Sequence, residues 1–188
     1  MAAEREEVEV RSRAEWRRWL DTHHDRSPGV WLVMYKKGRG PHVSWDEVVD
    51  EALCYGWIDS TGRRIDDDRW AIHVRPRKPA SAWSRVNKDR IDRLTAEGRM
   101  APAGLAAVAA AQASGTWTAL DEVEAGVVPD DLQAALDASP AARSTWDGYP
   151  PSTRKLALTW ISTAKRPDTR ARRVAETVTA AAEGRRAR

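Results

Sequence analysis

Two stretches of this chain combine residue types suited to holding an anion. The first runs Cys54-Tyr55-Gly56-Trp57-Ile58-Asp59-Ser60 and resumes at Arg75-Pro76-Arg77-Lys78-Pro79-Ala80-Ser81-Ala82-Trp83-Ser84-Arg85-Val86-Asn87. Arg75, Arg77 and Lys78 fall at a strand end just before a helix start, where free backbone N–H groups and the hydroxyls of Ser81 and Ser84 add donors. Guanidinium forks and helix N-termini both suit an oxyanion. Asn87, in the first turn, would orient the ligand, with Trp57 and Trp83 as walls and Asp59 as a carboxylate placed for proton transfer. The plainer reading makes Trp57 and Trp83 core anchors, pairs the arginines with Asp59 and Asp66, and leaves the serines as caps.

The second stretch is Lys165-Arg166-Pro167-Asp168-Thr169-Arg170-Ala171-Arg172-Arg173. Lys165 and Arg166 close one helix, where the dipole welcomes cations. Arg170, Arg172 and Arg173 open the next, where positive charge costs about 0.3–1 kcal/mol each unless an anion or carboxylate answers it. Arg170 and Arg173 therefore join the candidate ligand set with Lys165, as residues that would close over the first stretch; pairing with acidic residues of the N-terminal part is the structural alternative. Arg185-Arg186-Ala187-Arg188 reads as a frayed tail.

Other chemistries lack their signatures. Cys54 sits at a helix C-terminus, where the dipole disfavours a thiolate, and reads as a core thiol. His23, His24, His42 and His73 do not have metal-ligand spacing, and Asp66-Asp67-Asp68 reads as a polar turn, so no metal is expected. No phosphate-binding glycine loop and no nucleophile elbow occur, and no cofactor is expected.

These residues sit in a chain of 188 residues, 41% hydrophobic and 31% charged, with 10 Trp, 3 Tyr and no Phe. No run approaches the roughly 18 apolar residues of a membrane span. The opening MAAEREEVEV lacks a secretory apolar region, and a lone cysteine fits a reducing compartment, so a cytoplasmic, non-membrane protein is expected. The net charge of +3 conceals segregation. Residues 61–99 hold 11 basic and 6 acidic side chains, residues 165–188 hold 8 and 3, and the rest of the chain is net acidic. Such patches favour small anionic ligands; nucleic acid is a less favoured partner, and the oligomeric state is open.

The elements follow from caps and periodicity. Ser12 and Glu15 form a capping-box pattern before Trp16, Trp19, Leu20 and His23, spaced for one helical face. Val30–Tyr35 is apolar on both faces and reads as a covered strand. Ser44 and Glu47 open a second helix with Trp45, Val48, Val49, Ala52 and Leu53 inward, ending near Gly56. Residues 64–75 read as a hairpin about the aspartate turn, with His73, Arg75 and Arg77 on one face. A helix from Ser81 or Ser84 to Gly98 and an alanine-rich helix from Pro102 to Gly115 follow, the latter implying close packing. Residues 116–128 read as a connector. Helices are expected at 130–138, 140–147, 152–165 and 168–183, punctuated by prolines. The expected fold class is α+β, mainly helical: a small β-sheet or hairpin packed by helices, residues 1–120, with a C-terminal helical module, residues 121–188, packed on it.

Taken together, GVWL at 29–32, Lys36-Lys37, ALCYGWIDS at 52–60, RPRKPASAWSRVN at 75–87, GRMAPAGL at 98–105 and AKRPDTRARR at 164–173 resemble the YdeI/OmpD-associated family, also described as bacteriocin-protection proteins, from about Trp16 to Gly184. The resemblance implies that Cys54, Gly56, Trp57, Asp59, Arg75, Pro76, Arg77, Ser81, Trp83, Ser84, Asn87, Lys165, Thr169, Arg170 and Arg173 occupy motif positions. It implies an OmdA-like C-terminal module and a role in stress or bacteriocin protection, and brings no catalytic residue with it. The sequence departs from the pattern at Tyr55, Trp45, Trp146 and Ile72-His73-Val74. The leading expectation is a protection protein with an anion-receptive cleft; the alternatives are an enzyme acting on a small phosphorylated or carboxylated metabolite, with Asp59 as base, or a nucleic-acid-binding protein.

Overall fold

The computed structural model describes residues 6–186. Its elements run β1 (Glu7–Glu9), α1 (Arg13–His23), β2 (Val30–Tyr35), α2 (Trp45–Cys54), β3 (Trp57–Arg64), β4 (Arg69–Pro76), α3 (Arg85–Ala96), α4 (Pro102–Ala113), α5 (Asp121–Glu124), α6 (Asp130–Asp137), α7 (Pro140–Asp147), α8 (Pro151–Ser162) and α9 (Pro167–Ala182). The fold is α+β and mainly helical. The chain divides into two compact units, residues 1–118 and 119–188.

In the first unit a four-stranded sheet has the order β1-β2-β4-β3, with β1 parallel to β2 and the other pairs antiparallel. Strand alternation sorts its side chains: Val30, Leu32 and Met34 of β2 share a face with Val74, Ile72 and Trp70 of β4. Onto that face pack Trp16 and Leu20 of α1, Val48, Val49, Ala52 and Leu53 of α2, and Ile91 and Leu94 of α3, forming one core. Each of the fully buried aliphatic side chains contributes about 1.5–3 kcal/mol. On the other face Trp31 lies 5.4 Å from His73, with the Arg63 guanidinium 4.4 Å over the indole.

Ser44 and Glu47 form a complete capping box on α2. At α1 only half of that pattern is made: the Ser12 hydroxyl accepts from the Glu15 amide, but the Glu15 carboxylate accepts from Arg11 N at 2.7 Å. The hairpin is longer than its alternation suggested, because β3 already begins at Trp57 and a bulge between Asp59 and Gly62 interrupts the period-two signal. Three further readings need correction. The short strand β1 had no pattern of its own, residues 116–128 contain the one-turn helix α5, and Trp45 is 38% exposed. One side of the alanine run of α4 is exposed; its fully buried positions are Gly104 and Ala111, with Val108 packed partly buried against the core and Ala107 close to Gly56. Of the expected tail, Arg185 pairs with Glu183, while Ala187 and Arg188 lie outside the described residues.

The second unit has its own core. Leu132 and Leu136 of α6, Ala142 and Trp146 of α7, Leu158 and Ile161 of α8, and Val174 and Ala181 of α9 are buried together. Prolines at the first turns of α7, α8 and α9 supply the preset backbone angle and lack an N–H that would go unpaired there. No helix among the described residues is long and apolar enough to cross a membrane.

Candidate functional site

The loop joining β4 to α3 is fixed by its backbone. Arg77 N donates to Gly56 O at 3.0 Å, Ser81 N to Lys78 O at 2.9 Å, and Trp83 N to Thr116 O at 3.3 Å. Gly56, with φ of +73°, turns the chain from α2 into β3, and a Cβ there would lie 2.9 Å from Ala107 of α4. Between this loop and α4 lies a cavity of about 190 Å³, lined by Arg77, Lys78, Pro79, Trp83 and the alanines at 107, 110 and 111.

Arg77 is the unusual group in it. Its guanidinium lies 3.9 Å from the centre of the Trp83 ring and one Nη donates to Ala82 O, yet Nε is buried with no acceptor, and no carboxylate pairs with it among the described residues. Burial pushes the guanidinium down to about 10, partly offset by the charge of Asp59. A half-buried cation bordering a cavity can meet an oxyanion there, while its Nε, closed to solvent, reaches one only if the loop shifts. Lys78, exposed at the rim, adds a second charge.

The other candidate residues distribute differently. Asp59 pairs in register with Val74 and so shares the core face, whereas Arg75 is opposite Ile58 and points to the other face. Burial raises the Asp59 carboxyl above the usual carboxylate range, with its own backbone amide and the charges of Arg90 and Arg77 opposing that shift. Trp57, 1% exposed, belongs to the core: it meets Trp16 and Trp19 edge-on and donates from Nε1 to His24 O. Trp83 is 2% exposed and also touches Trp117. Ser84 caps α3 by accepting from Asn87 N, and Ser81 is half-buried in the loop. The first stretch thus places Arg77, Lys78 and Trp83 at one cavity and sends Trp57 and Arg75 elsewhere. The alanines of α4 that complete the wall carry only one signal in the sequence, their small size where bulk would fill the space.

Arginines elsewhere in this unit are spent on two buried carboxylates that the sequence analysis passed over. Glu51, on α2, receives Arg13 at 2.6 Å and Arg17 at 2.9 Å, and also Arg99; neighbouring Asp50 receives Arg90 and Arg93 at 2.8 Å. Burial works to raise the Asp50 carboxyl, but hydrogen bonds from Arg93 and Arg90 outweigh it and hold it below the usual range. Their signal was two adjacent acids inside the apolar run Val48–Leu53. This cluster ties α1, α2 and α3 together, with Arg13 Nη2 buried in it at 3.5 Å from Asp50 without a hydrogen-bond acceptor.

In the second unit, Arg170 forms a forked pair with Asp131 at 2.7 and 2.9 Å, joining α9 to the start of α6. Arg173 lies over Trp160 at 5.3 Å and donates to Trp160 O and to Thr163 at the α8–α9 corner. Arg170 is thus answered by Asp131 and Arg172 by Glu176 inside their own unit, whereas Arg173 has no carboxylate among the described residues and keeps a buried Nε without an acceptor. Lys165 is exposed.

Comparison with known proteins divides the chain in a similar place. A family model described as a domain of unknown function (DUF8412) matches residues 8–107. Another, described as Bacteriocin-protection, YdeI or OmpD-Associated, matches residues 125–184. The resemblance to the second family is therefore confirmed over the C-terminal helices, including AKRPDTRARR. Its expected extent is corrected: residues 29–32, 52–60, 75–87 and 98–105 lie within the span of the first family. The second match suggests a role related to bacteriocin protection. No curated protein and no solved structure matches the chain.

Proposed function

We propose that this chain, which belongs to the DUF8412 family through residues 8–107, is a cytoplasmic stress- or bacteriocin-protection protein that binds a small phosphorylated or carboxylated ligand between the β4–α3 loop and α4. One observation carries the reading: Arg77 borders a cavity with a buried Nε lacking any acceptor and no carboxylate in salt-bridge contact among the described residues, Asp59 acting on it only through its charge. Buried cations are ordinarily paired, so an anion supplied from solution would complete the arrangement. Lys78 would steer that anion, and the Trp83 face would hold the guanidinium in place.

Isothermal titration against inorganic phosphate, phosphorylated metabolites and small carboxylates tests this. Binding that Arg77→Ala abolishes and Arg77→Lys weakens at least tenfold is expected, since Lys cannot offer a fork. A library without a binder, or a binder indifferent to Arg77→Ala, would overturn it. The Asp59 carboxyl, raised by burial and near enough for its charge to act on Arg77 though outside the cavity wall, favours one second reading, in which Asp59 exchanges a proton with the bound ligand. Asp59→Asn separates the two, because loss of a negative charge tightens simple anion binding but abolishes proton transfer.

A further inference from the structure

A second surface of the first unit has a different chemistry. Where β2 ends and the hairpin turns, an open groove of about 630 Å³ is lined by Lys36, Lys37, His42, Gly62, Arg64 and Trp70, among others. Trp70 forms its apolar floor. That indole is backed on one face by Trp45, whose ring stacks on it at 5.1 Å and 22°, so an aromatic pair stands where the core reaches solvent. Gly62 follows the β3 bulge, and a Cβ there would lie 3.2 Å from the Trp70 ring. Any side chain at that position would crowd the indole, whereas glycine leaves it open.

The rims are cationic. Residues 36–42 and 61–70 carry six basic and three acidic side chains. Each acid is already answered by an arginine: Asp66 by Arg69, Asp67 by Arg64 and Asp68 by Arg39. Lys36 Nζ donates to the carbonyls of Asp66 and Asp67, which fix its position without cancelling its charge, and Lys37 is exposed. His42 gives Nδ1 to Tyr35 O, leaving its other nitrogen for a partner. Arg64 is the direct cross-strand neighbour of Trp70, so charge lies on both sides of the ring.

From this arrangement we propose that the groove binds single-stranded nucleic acid, one base stacking on Trp70 while Lys36 and Lys37 meet the flanking phosphates and Arg64 exchanges Asp67 for a phosphate on the opposite rim. An indole floor accepts any base face, and cations spread along two rims track a backbone better than they clasp one phosphate. Stacking on an indole tolerates every base, so the binding is expected to be largely sequence-indifferent.

The test is fluorescence anisotropy with labelled oligothymidylate and oligouridylate of about eight nucleotides, with salt varied from about 50 to 200 mM. The full chain is expected to bind with an affinity that falls as salt rises. Lys37→Glu should reduce the salt slope by about 0.7 or more. Gly62→Leu should weaken binding about 5- to 160-fold, the worth of one base stack, at an unchanged salt slope. Circular dichroism confirms that both variants fold, and Arg77→Ala should bind the oligomers like the parent, which keeps this test independent of the anion site. Absence of binding at low salt would overturn the proposal. So would indifference to both groove variants, a mononucleotide competing as well as the oligomer, or binding to anionic phosphatidylglycerol vesicles without binding to either oligomer.

Discussion

Asp59 shows how much a single residue's environment decides. Its folded-state carboxyl lies above the unfolded value of about 3.9, so the native state holds the proton more tightly. Its contribution to stability is therefore greatest at low pH and declines as pH rises through the interval between those two values. Asp59→Asn is expected to melt at pH 7 no lower than the parent and to lose that part of the pH dependence; a fall of several degrees would mean that the carboxylate makes a needed pair. Asp50 runs the other way. Its folded value is depressed, so its contribution is present above about pH 3.9 and is lost as pH falls through the folded value. Thermal melts of Asp50→Asn from pH 2 to pH 7 should show a lower plateau with a shallower acid limb.

At the scale of elements, α4 sets the cavity wall by approaching the C-terminus of α2 more closely than a side chain permits. A Cβ on Gly104 would sit 2.2 Å from the Cys54 carbonyl oxygen, a rigid backbone atom that also accepts from Ala101 N. Gly104→Ala is expected to cost about 1–3 kcal/mol and, by displacing Ala107 and Ala111, to weaken ligand binding beside Arg77; denaturant melts and titration check both. The arginine cluster makes the matching prediction for α1, α2 and α3. Glu51→Ala strips three guanidinium groups of a buried partner and should destabilise by about 3–5 kcal/mol in urea unfolding. Helix starts were legible because Ser12, Ser44 and Ser84 each act within three residues of themselves. The extent of β3 was not, because a bulge erases the alternation by which strands are read.

For the whole molecule, two separate cores mean that each unit carries its own cooperative structure. Expressed alone, residues 1–118 should unfold in a single transition with strong near-ultraviolet ellipticity from the Trp16, Trp19 and Trp57 cluster. Residues 119–188 should remain helical but melt at lower temperature, since a 70-residue bundle with a smaller apolar core is close to the size limit for independent stability. A piece of residues 1–118 that fails to fold would show that the first core is incomplete by itself.

The abundance of arginine and tryptophan is visible in the sequence, and so are the capped helices, the buried strand β2 and the C-terminal helices with their family resemblance, because each depends on neighbours a few residues away. Which arginine is left without a partner depends on contacts between residues tens of positions apart. Arg90 and Arg93 reach back to Asp50 and Arg99 to Glu51, while Arg77, in the same basic block, meets only an indole face and a carbonyl. Strand register likewise turned Asp59 and Arg75 to opposite faces, since one residue of offset in a strand reverses a side chain's direction. Tertiary structure decided those pairings because which guanidinium reaches which carboxylate depends on how helices and strands distant in sequence pack together.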